Sequence, residues 1–512
     1  MIRIKKNGAT PMSLRYMDYM STISSDKLHE GLFAHGMFTE KLPPIFTSED
    51  FFQFYKSTPD AFPKNLCQKP HGVIYFESWR NTNVPRLYAI PHPIAYYNLC
   101  QCLSDHWNEL KTHFAQQTHA QSHKVSRIHI RKQKNSKSLF AMTYHNWKID
   151  ASPEPDLQIG NRYMVRADIS TCFQSMYTHA LPWALVGKLT AKQSKADRTV
   201  WYNILDQKSM KVKNGETHGF LIGPHASNLL SEIILTAIDN KLVTADWKYI
   251  RHIDDYTCYV PSYEKAQEFL IDLRSCLKEY DLSLNHKKTK ILPLPTAAKP
   301  SWIYTLTTFQ LIRREGHITY TGVQAYLDMA IGLMLTHDDT AIINYAIKML
   351  EKQSLTQNAK SYCLKTMLHL SVIYPYLIPL LPEYVFKPYH ATPAHIRKIS
   401  EILYRSAVTS KNYEAAIYAI YFSLKYKVEL PAVTAENAIN SDSCLLKLFV
   451  WLYFEKTGDI DSMQKMRDHA AELAAQDFDG YWLFVYESLP EKLLVNEWQI
   501  MKHAGISFIQ DV

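Results

Sequence analysis

The chain has 512 residues, 46% of them apolar, with 57 basic against 49 acidic side chains and a formal charge of +8. This length leaves room for two to four domains and a large core, which excludes a disordered chain, and the mild positive surplus excludes a histone-like polycation. Eight scattered cysteines offer no Cys-x-x-Cys zinc spacing, and neither a secretory leader nor an apolar run of ~18 residues is present, so the expectation is a cytoplasmic protein with free thiols and no membrane segment.

Residues 1 to about 85 mix short helical and loop signals. Pro91-His92-Pro93 precedes a helical pattern over Ile94–Phe114, and Arg127–Met142 alternates as a basic hairpin around Asn135-Ser136. Tyr163–Ile169 reads as a strand ending near Asp168, followed by a helix with Phe173, Met176, Tyr177, Ala180 and Leu181 on one face. Gly219–Gly223 forms a turn into a helix carrying Leu229, Leu230, Ile233, Ile234, Ala237 and Ile238. Tyr249–Val260 is a hairpin with Asp254-Asp255 at its tip, and Tyr263–Tyr280 is an amphipathic helix. A further hairpin turn is expected at Arg313–His317. This order fits a split βαββαβ sheet with helices on one face and Asp168, Asp254 and Asp255 together on the other.

Beyond Thr321 strand signals vanish. Helical patterns follow over Val323–Leu335, Thr340–Lys352, Ala359–Ile373, Ala394–Val408, Tyr413–Tyr426, Ser443–Lys456 and Asp461–Gln476. Successive pairs suggest an α-solenoid of irregular period. The expected division is 1–322 for the α+β part and 323–512 for the helical part.

The hairpin tip is the first place to look for chemistry. Two adjacent carboxylates repel, with only Arg251 as a nearby cation in the chain, and a hard divalent ion between their oxygens resolves the repulsion. The pair Asp338-Asp339 reads differently, as caps of the helix that follows. An Asp at a strand end plus an Asp-Asp turn is the arrangement that nucleotidyl transfer needs to hold two divalent ions about 4 Å apart. Phe173 reads as core packing or as a ring under the incoming sugar that clashes with a 2′-hydroxyl. Gly219 and Gly223 let backbone approach a ligand closely. Lys288, in the run HKKTK, reads as part of a solvated turn or as the group that helps pyrophosphate leave.

The order Asp168…Phe173, Gly219…Ser227, Ile253-Asp254-Asp255 and Asn285…Lys288-Thr289 resembles motifs A, B, C and D of reverse transcriptases, with His252-Ile253 where a tyrosine is expected before the Asp pair. The strings Tyr177–Leu185 (YTHALPWAL), Gly187-Lys188 and Gly223–Asn228 (GPHASN) resemble the abortive-infection (AbiK-like) bacterial reverse transcriptases, a defence-associated group, and within it the prophage-encoded type. The likeness covers about residues 85 to 322.

That resemblance implies right-hand fingers and palm followed by an all-α, HEAT-like repeat domain in place of a thumb. It implies Mg²⁺ (two ions, with Mn²⁺ as a substitute) held by Asp168, Asp254, Asp255 and the backbone carbonyl of Ile169. Phe173, Gly223 and Ser227 would shape the nucleotide pocket, Arg127, Arg131 and Lys132 would meet phosphate, and Lys288 would serve pyrophosphate departure. The implied activity is DNA synthesis from dNTPs without a template, primed by a protein hydroxyl, so that a single-stranded product stays attached to a tyrosine; Tyr16, Tyr19 and Tyr55 are candidates lying outside the motifs. The implied setting is a homo-oligomer acting in anti-phage abortive infection. Two rival expectations are a template-dependent, retron-like enzyme and a non-catalytic helical-repeat binding protein on a degenerate polymerase fold.

Overall fold

The computed structural model describes residues 16–58, 62, 68–82, 84–131, 137–141 and 152–511. The chain forms two compact units, one of residues 1–39, 48–73 and 90–296, the other of residues 40–47, 74–89 and 297–512. This division differs from the expected 1–322 and 323–512. From Ala297 onward the chain packs with the helices that follow it, with Trp302 set edge-on to Tyr345 at 5.5 Å. Two early segments also join the second unit through contacts that no local pattern announces. The Thr47 amide donates to the Phe508 carbonyl, the Gln510 amide to that of Ile45, and the hydroxyl of Ser78 to Glu414.

Strands β1 (Val73–Trp79) and β2 (Pro85–Pro91) pair as a hairpin, and β3 (His129–Ile130) pairs antiparallel with β4 (Phe140–Ala141). The latter is the expected basic hairpin, whose turn at Asn135-Ser136 lies outside the described residues. The central sheet of the first unit has four strands, β5 (Tyr163–Asp168), β6 (Tyr249–His252), β7 (Asp255–Val260) and β8 (Lys290–Pro293), in the order β6-β7-β5-β8. β7 is antiparallel to both β5 and β6, and β8 is antiparallel to β5.

Two helices anchor this sheet. Tyr263–Lys278 buries Ala266, Phe269, Leu273 and Leu277 at the expected spacing, and the Ser262 hydroxyl caps it by accepting from the Lys265 amide. His225–Thr244 is buried nearly all round, including Leu229, Leu230, Ile233, Ile234, Ala237 and Ile238. An aromatic cluster of Phe33, Phe51, Phe52, Phe62 and Tyr97 encloses Tyr55, whose ring centroid is 4.0 Å from that of Tyr97.

The expected helix over Ile94–Phe114 is two helices, Pro93–Asp105 and Trp107–Thr118, broken at His106. The expected helix after Asp168 is also broken, into Cys172–Ser175 and Ala180–Val186. There the chain turns extended at Met176, because the Gly219 amide captures the Met176 carbonyl and Tyr177 bridges His218.

In the second unit each of the seven spans read after Thr321 is helical, and short β9 (Arg313–Arg314) and β10 (His317–Ile318) form the expected hairpin. The Ala341 amide donates to the Asp339 carboxylate, the capping role read for that pair. Sequence patterns gave no warning of the helices Ala435–Ile439, Phe478–Ser488 and Asn496–His503. Among the described residues no helix is long and apolar enough to cross a membrane.

Candidate nucleotidyl-transfer site

The antiparallel register sets Asp168, the last residue of β5, directly opposite Asp255, the first of β7. Between β6 and β7 the turn is only Ile253-Asp254, so both carboxylates of the pair sit at the strand ends. The turn is tied to β5 by the Ile169 amide, which donates to the Asp254 carbonyl at 3.1 Å. Ile253 has φ of 58°, a left-handed conformation that costs a β-branched residue roughly 1–2 kcal/mol.

Asp168 is buried, at 4% exposure, and Lys288 donates from Nζ to its Oδ2 at 2.8 Å. Lys288 itself is exposed and enters from a turn built on Asn285, whose amide donates to the Asp168 carbonyl and whose own carbonyl accepts from the Lys288 and Thr289 amides. The Asp255 carboxyl is pushed up to about 6. Burial is the main cause, followed by the charge of Asp254 and by the hydrogen bond and charge of Asp168, with Lys288 opposing. Three carboxyl groups around one lysine thus carry a charge imbalance. Hard oxygen donors in that state suit a divalent cation. The Ser170 and Asn285 amides make the bonds flanking the Ile169–Leu284 bridge, which leaves the Ile169 carbonyl out of that pairing.

Arg251 does not neutralise the Asp pair, and the expectation that it is the nearby cation is corrected. Its side chain points into the core, fully buried, with Nε and Nη2 on Asp239 at 2.9 and 2.6 Å and Nη1 on Glu232 at 2.8 Å. Nη1 also donates to the Ile253 carbonyl at 2.9 Å, so this cation props the Ile253-Asp254 turn from behind. Tyr249 donates to Asp239 at 2.8 Å, and Tyr16 to Glu232 at 2.7 Å. Burial pushes the Asp239 carboxyl up against the pull of Arg251, and burial beside Glu232 pushes the Tyr16 hydroxyl well up. Sequence reasoning missed this network. Its signal was two carboxylates seven residues apart on an otherwise apolar helix face.

The sugar-side elements are joined through backbone. The Phe220 amide donates to the Phe173 carbonyl at 2.7 Å, and Phe173 is half-buried. Gly219 has φ of 85°, and a Cβ there would meet the Gln174 carbonyl oxygen at 2.9 Å, so the turn requires glycine. Gly223 has φ of 124° and precedes Pro224, beyond which Ser227 is buried in the first turn of the long helix. That helix start is held by Tyr96, whose hydroxyl accepts from the Ala226 amide.

The expected phosphate contacts divide. The Arg127 amide bonds to the Arg251 carbonyl, which lays residues 125–127 along β6. The Arg131 guanidinium lies 5.9 Å from the centre of the Tyr19 ring, on the β3–β4 hairpin. Lys132 lies outside the described residues. Tyr16, Tyr19 and Tyr55 are all buried, at 5%, 8% and 6% exposure.

Residues 104–325 match the family model described as reverse transcriptase (RNA-dependent DNA polymerase). No curated protein matches the sequence. Among solved structures the chain is similar to a Candida tropicalis telomerase truncated from its C-terminal domain, at 14% identity and a TM-score of 0.26, with 48% of this chain and 56% of that chain covered. Apo telomerase from Candida tropicalis gives 11% identity and a TM-score of 0.32, covering 86% and 73%. Candida albicans telomerase with a fragment of telomeric RNA gives 10% and 0.29, covering 86% and 70%. Those scores are too low to carry an argument. The family match does carry one: a reverse transcriptase domain is present, the chain is a nucleotidyltransferase enzyme, and domains of this kind work with divalent metal ions.

Proposed function

We propose that the protein is a DNA polymerase that adds dNTPs by two-metal nucleotidyl transfer, without a template and from a protein hydroxyl, in abortive infection against phage. The observation that carries the chemistry is the register that sets Asp168 against Asp255, with Asp254 in the adjoining turn and Lys288 on Asp168. Asp168, Asp254, Asp255 and the Ile169 carbonyl would hold Mg²⁺. Bound there, the ions would lower the pKa of the attacking hydroxyl and neutralise the triphosphate.

The hydroxyl gives up its proton to solvent, its oxygen forms a bond to the α-phosphorus, and the bond from that phosphorus to the bridging α–β oxygen breaks. Pyrophosphate leaves, and Lys288, on the solvent side of Asp168, gives it a proton. Phe173 excludes a 2′-hydroxyl, Gly223 and Ser227 shape the pocket, and Arg127 meets phosphate. The resemblance stated above supports protein priming, a cytoplasmic homo-oligomer and a helical-repeat second domain. Because Tyr16, Tyr19 and Tyr55 are buried, priming from any of them requires the residue to leave its packing first.

A template-dependent reading is favoured by the family model's own description as RNA-dependent. Incubating the pure protein with Mg²⁺ and dNTPs, then searching its peptides by mass spectrometry for attached nucleotides, separates the two. The proposal expects a nucleotide-modified tyrosine and a product made with no nucleic acid supplied. Synthesis that appears only when RNA is added overturns it.

A further inference from the structure

Away from the carboxylates, the first unit holds a cleft of about 650 Å³ between the helices Ala180–Val186, Lys188–Gln193 and Trp201–Lys211. Its volume falls within the range of small-molecule sites. Tyr177 and Trp183 line it, their ring centroids 6.0 Å apart, together with His179, Lys192, Lys195 and Arg198. The residues Tyr177–Leu185 take no part in the chemistry proposed for the carboxylates.

The cleft is built before any ligand arrives. The Asn203 side-chain amide donates to the Ser194 and Asp197 carbonyls at 2.7 and 2.8 Å, which pins the loop carrying Lys195 and Arg198. Asp197 is spent on that loop, accepting from the amide and hydroxyl of Thr199. Asp206 is spent on His179, its Oδ2 lying 2.5 Å from Nδ1, and this contact raises the His179 pKa and favours the imidazolium. Among the described residues, Lys192, Lys195 and Arg198 have no acidic partner and are exposed. Here Lys192, near the end of its helix, and Lys195 and Arg198, on the pinned loop, sit within seven residues beside two aromatic rings and a histidine paired with a carboxylate. Cations that track phosphate next to rings that stack bases are the chemistry of nucleotide binding.

We propose that this cleft is a second nucleotide site, distinct from the three carboxylates, which takes a nucleoside phosphate with its base against Tyr177 and Trp183 and its phosphate among Lys192, Lys195 and Arg198. It goes beyond the polymerase reading and requires no turnover. The ligand chemistry has two sources, a free dNTP or one nucleotide of a single strand.

Titration calorimetry of the full chain in EDTA, where the carboxylates hold no divalent ion, tests it with dTTP, octathymidylate and inorganic triphosphate. Binding of dTTP alone identifies a free nucleotide, and binding of octathymidylate alone identifies a strand. Lys192→Glu with Arg198→Glu, both on the surface, should weaken binding at least about tenfold and reduce the salt slope for octathymidylate by about 1.4. Tyr177→Ala should cost roughly tenfold through lost stacking, with inorganic triphosphate unaffected. The Asp254→Ala/Asp255→Ala protein should bind as the parent does, even if the polymerase reading fails. Three results overturn the site: unchanged affinity after charge reversal, inorganic triphosphate binding as tightly as dTTP, or loss of binding in the Asp254→Ala/Asp255→Ala protein.

Discussion

The two units bury charge in different ways. In the first, Arg251 is enclosed by Glu232 and Asp239, full charge against full charge, with tyrosine hydroxyls filling the remaining valences. In the second, the buried charges meet dipoles. Glu414 accepts from the Ser78 hydroxyl at 2.6 Å and the Trp79 amide at 2.7 Å, and its carboxyl is pushed up to about 7 by burial. Lys447 donates to the carbonyls of Ala438, Ile439 and Ser441 at the end of a short helix, and burial lowers it to about 8. Opposite charges offset much of the cost of burial, although the Asp239 carboxyl still stays raised, and they hold the groups in one geometry, here the support of the Asp254 turn. Dipoles cancel only part of it, so those groups titrate near neutral pH.

The sharpest way to break this comparison is Arg251→Met, which leaves two carboxylates buried without a cation. It should cost about 3–5 kcal/mol in denaturant unfolding and abolish incorporation. Replacing Arg251, Glu232 and Asp239 together by apolar residues of matching size should restore most of that stability without restoring activity. Lys288→Ala acts on the open side of the same carboxylates. It should slow single-turnover incorporation about 100-fold or more with an unchanged unfolding midpoint, because the side chain is 64% exposed.

The second unit responds to pH. The folded-state value of Glu414 lies above its ordinary 4.5, so the folded chain binds more protons than the unfolded chain between 4.5 and about 7. Its contribution is fully present below 4.5 and fades as pH rises through about 7. Glu414→Gln should remove up to about 3 kcal/mol of that dependence, seen as melting temperatures that no longer fall over this window. The smallest effect belongs to the turn itself. Ile253→Asn relieves the left-handed strain and should stabilise the fold by about 1 kcal/mol in the same unfolding assay.

Local pattern revealed what local physics governs. The strand ending at Asp168, the Asp254-Asp255 hairpin, the amphipathic helix Tyr263–Lys278 and seven later helical spans all carry their own periodicity or turn chemistry. Lys288 was legible from its basic run HKKTK after the amphipathic helix, although its partner Asp168 lies 120 residues earlier. What escaped depends on partners distant in sequence. Arg251 looked like a neighbour of the Asp pair, but strand alternation turns it into the core, toward acids on another helix. Residues 40–47 and β1–β2 belong with the later chain through bonds to Phe508, Gln510 and Glu414 that no spacing encodes.

The central claim is that Asp168, Asp254 and Asp255 act as one centre for nucleotidyl transfer. Labelled dNTP incorporation by purified Asp254→Ala/Asp255→Ala protein tests it most directly. The account expects incorporation to fall to background while the protein stays folded, with a melting temperature at or above that of the parent because a like-charge contact has gone. A folded double variant that still polymerises would contradict it.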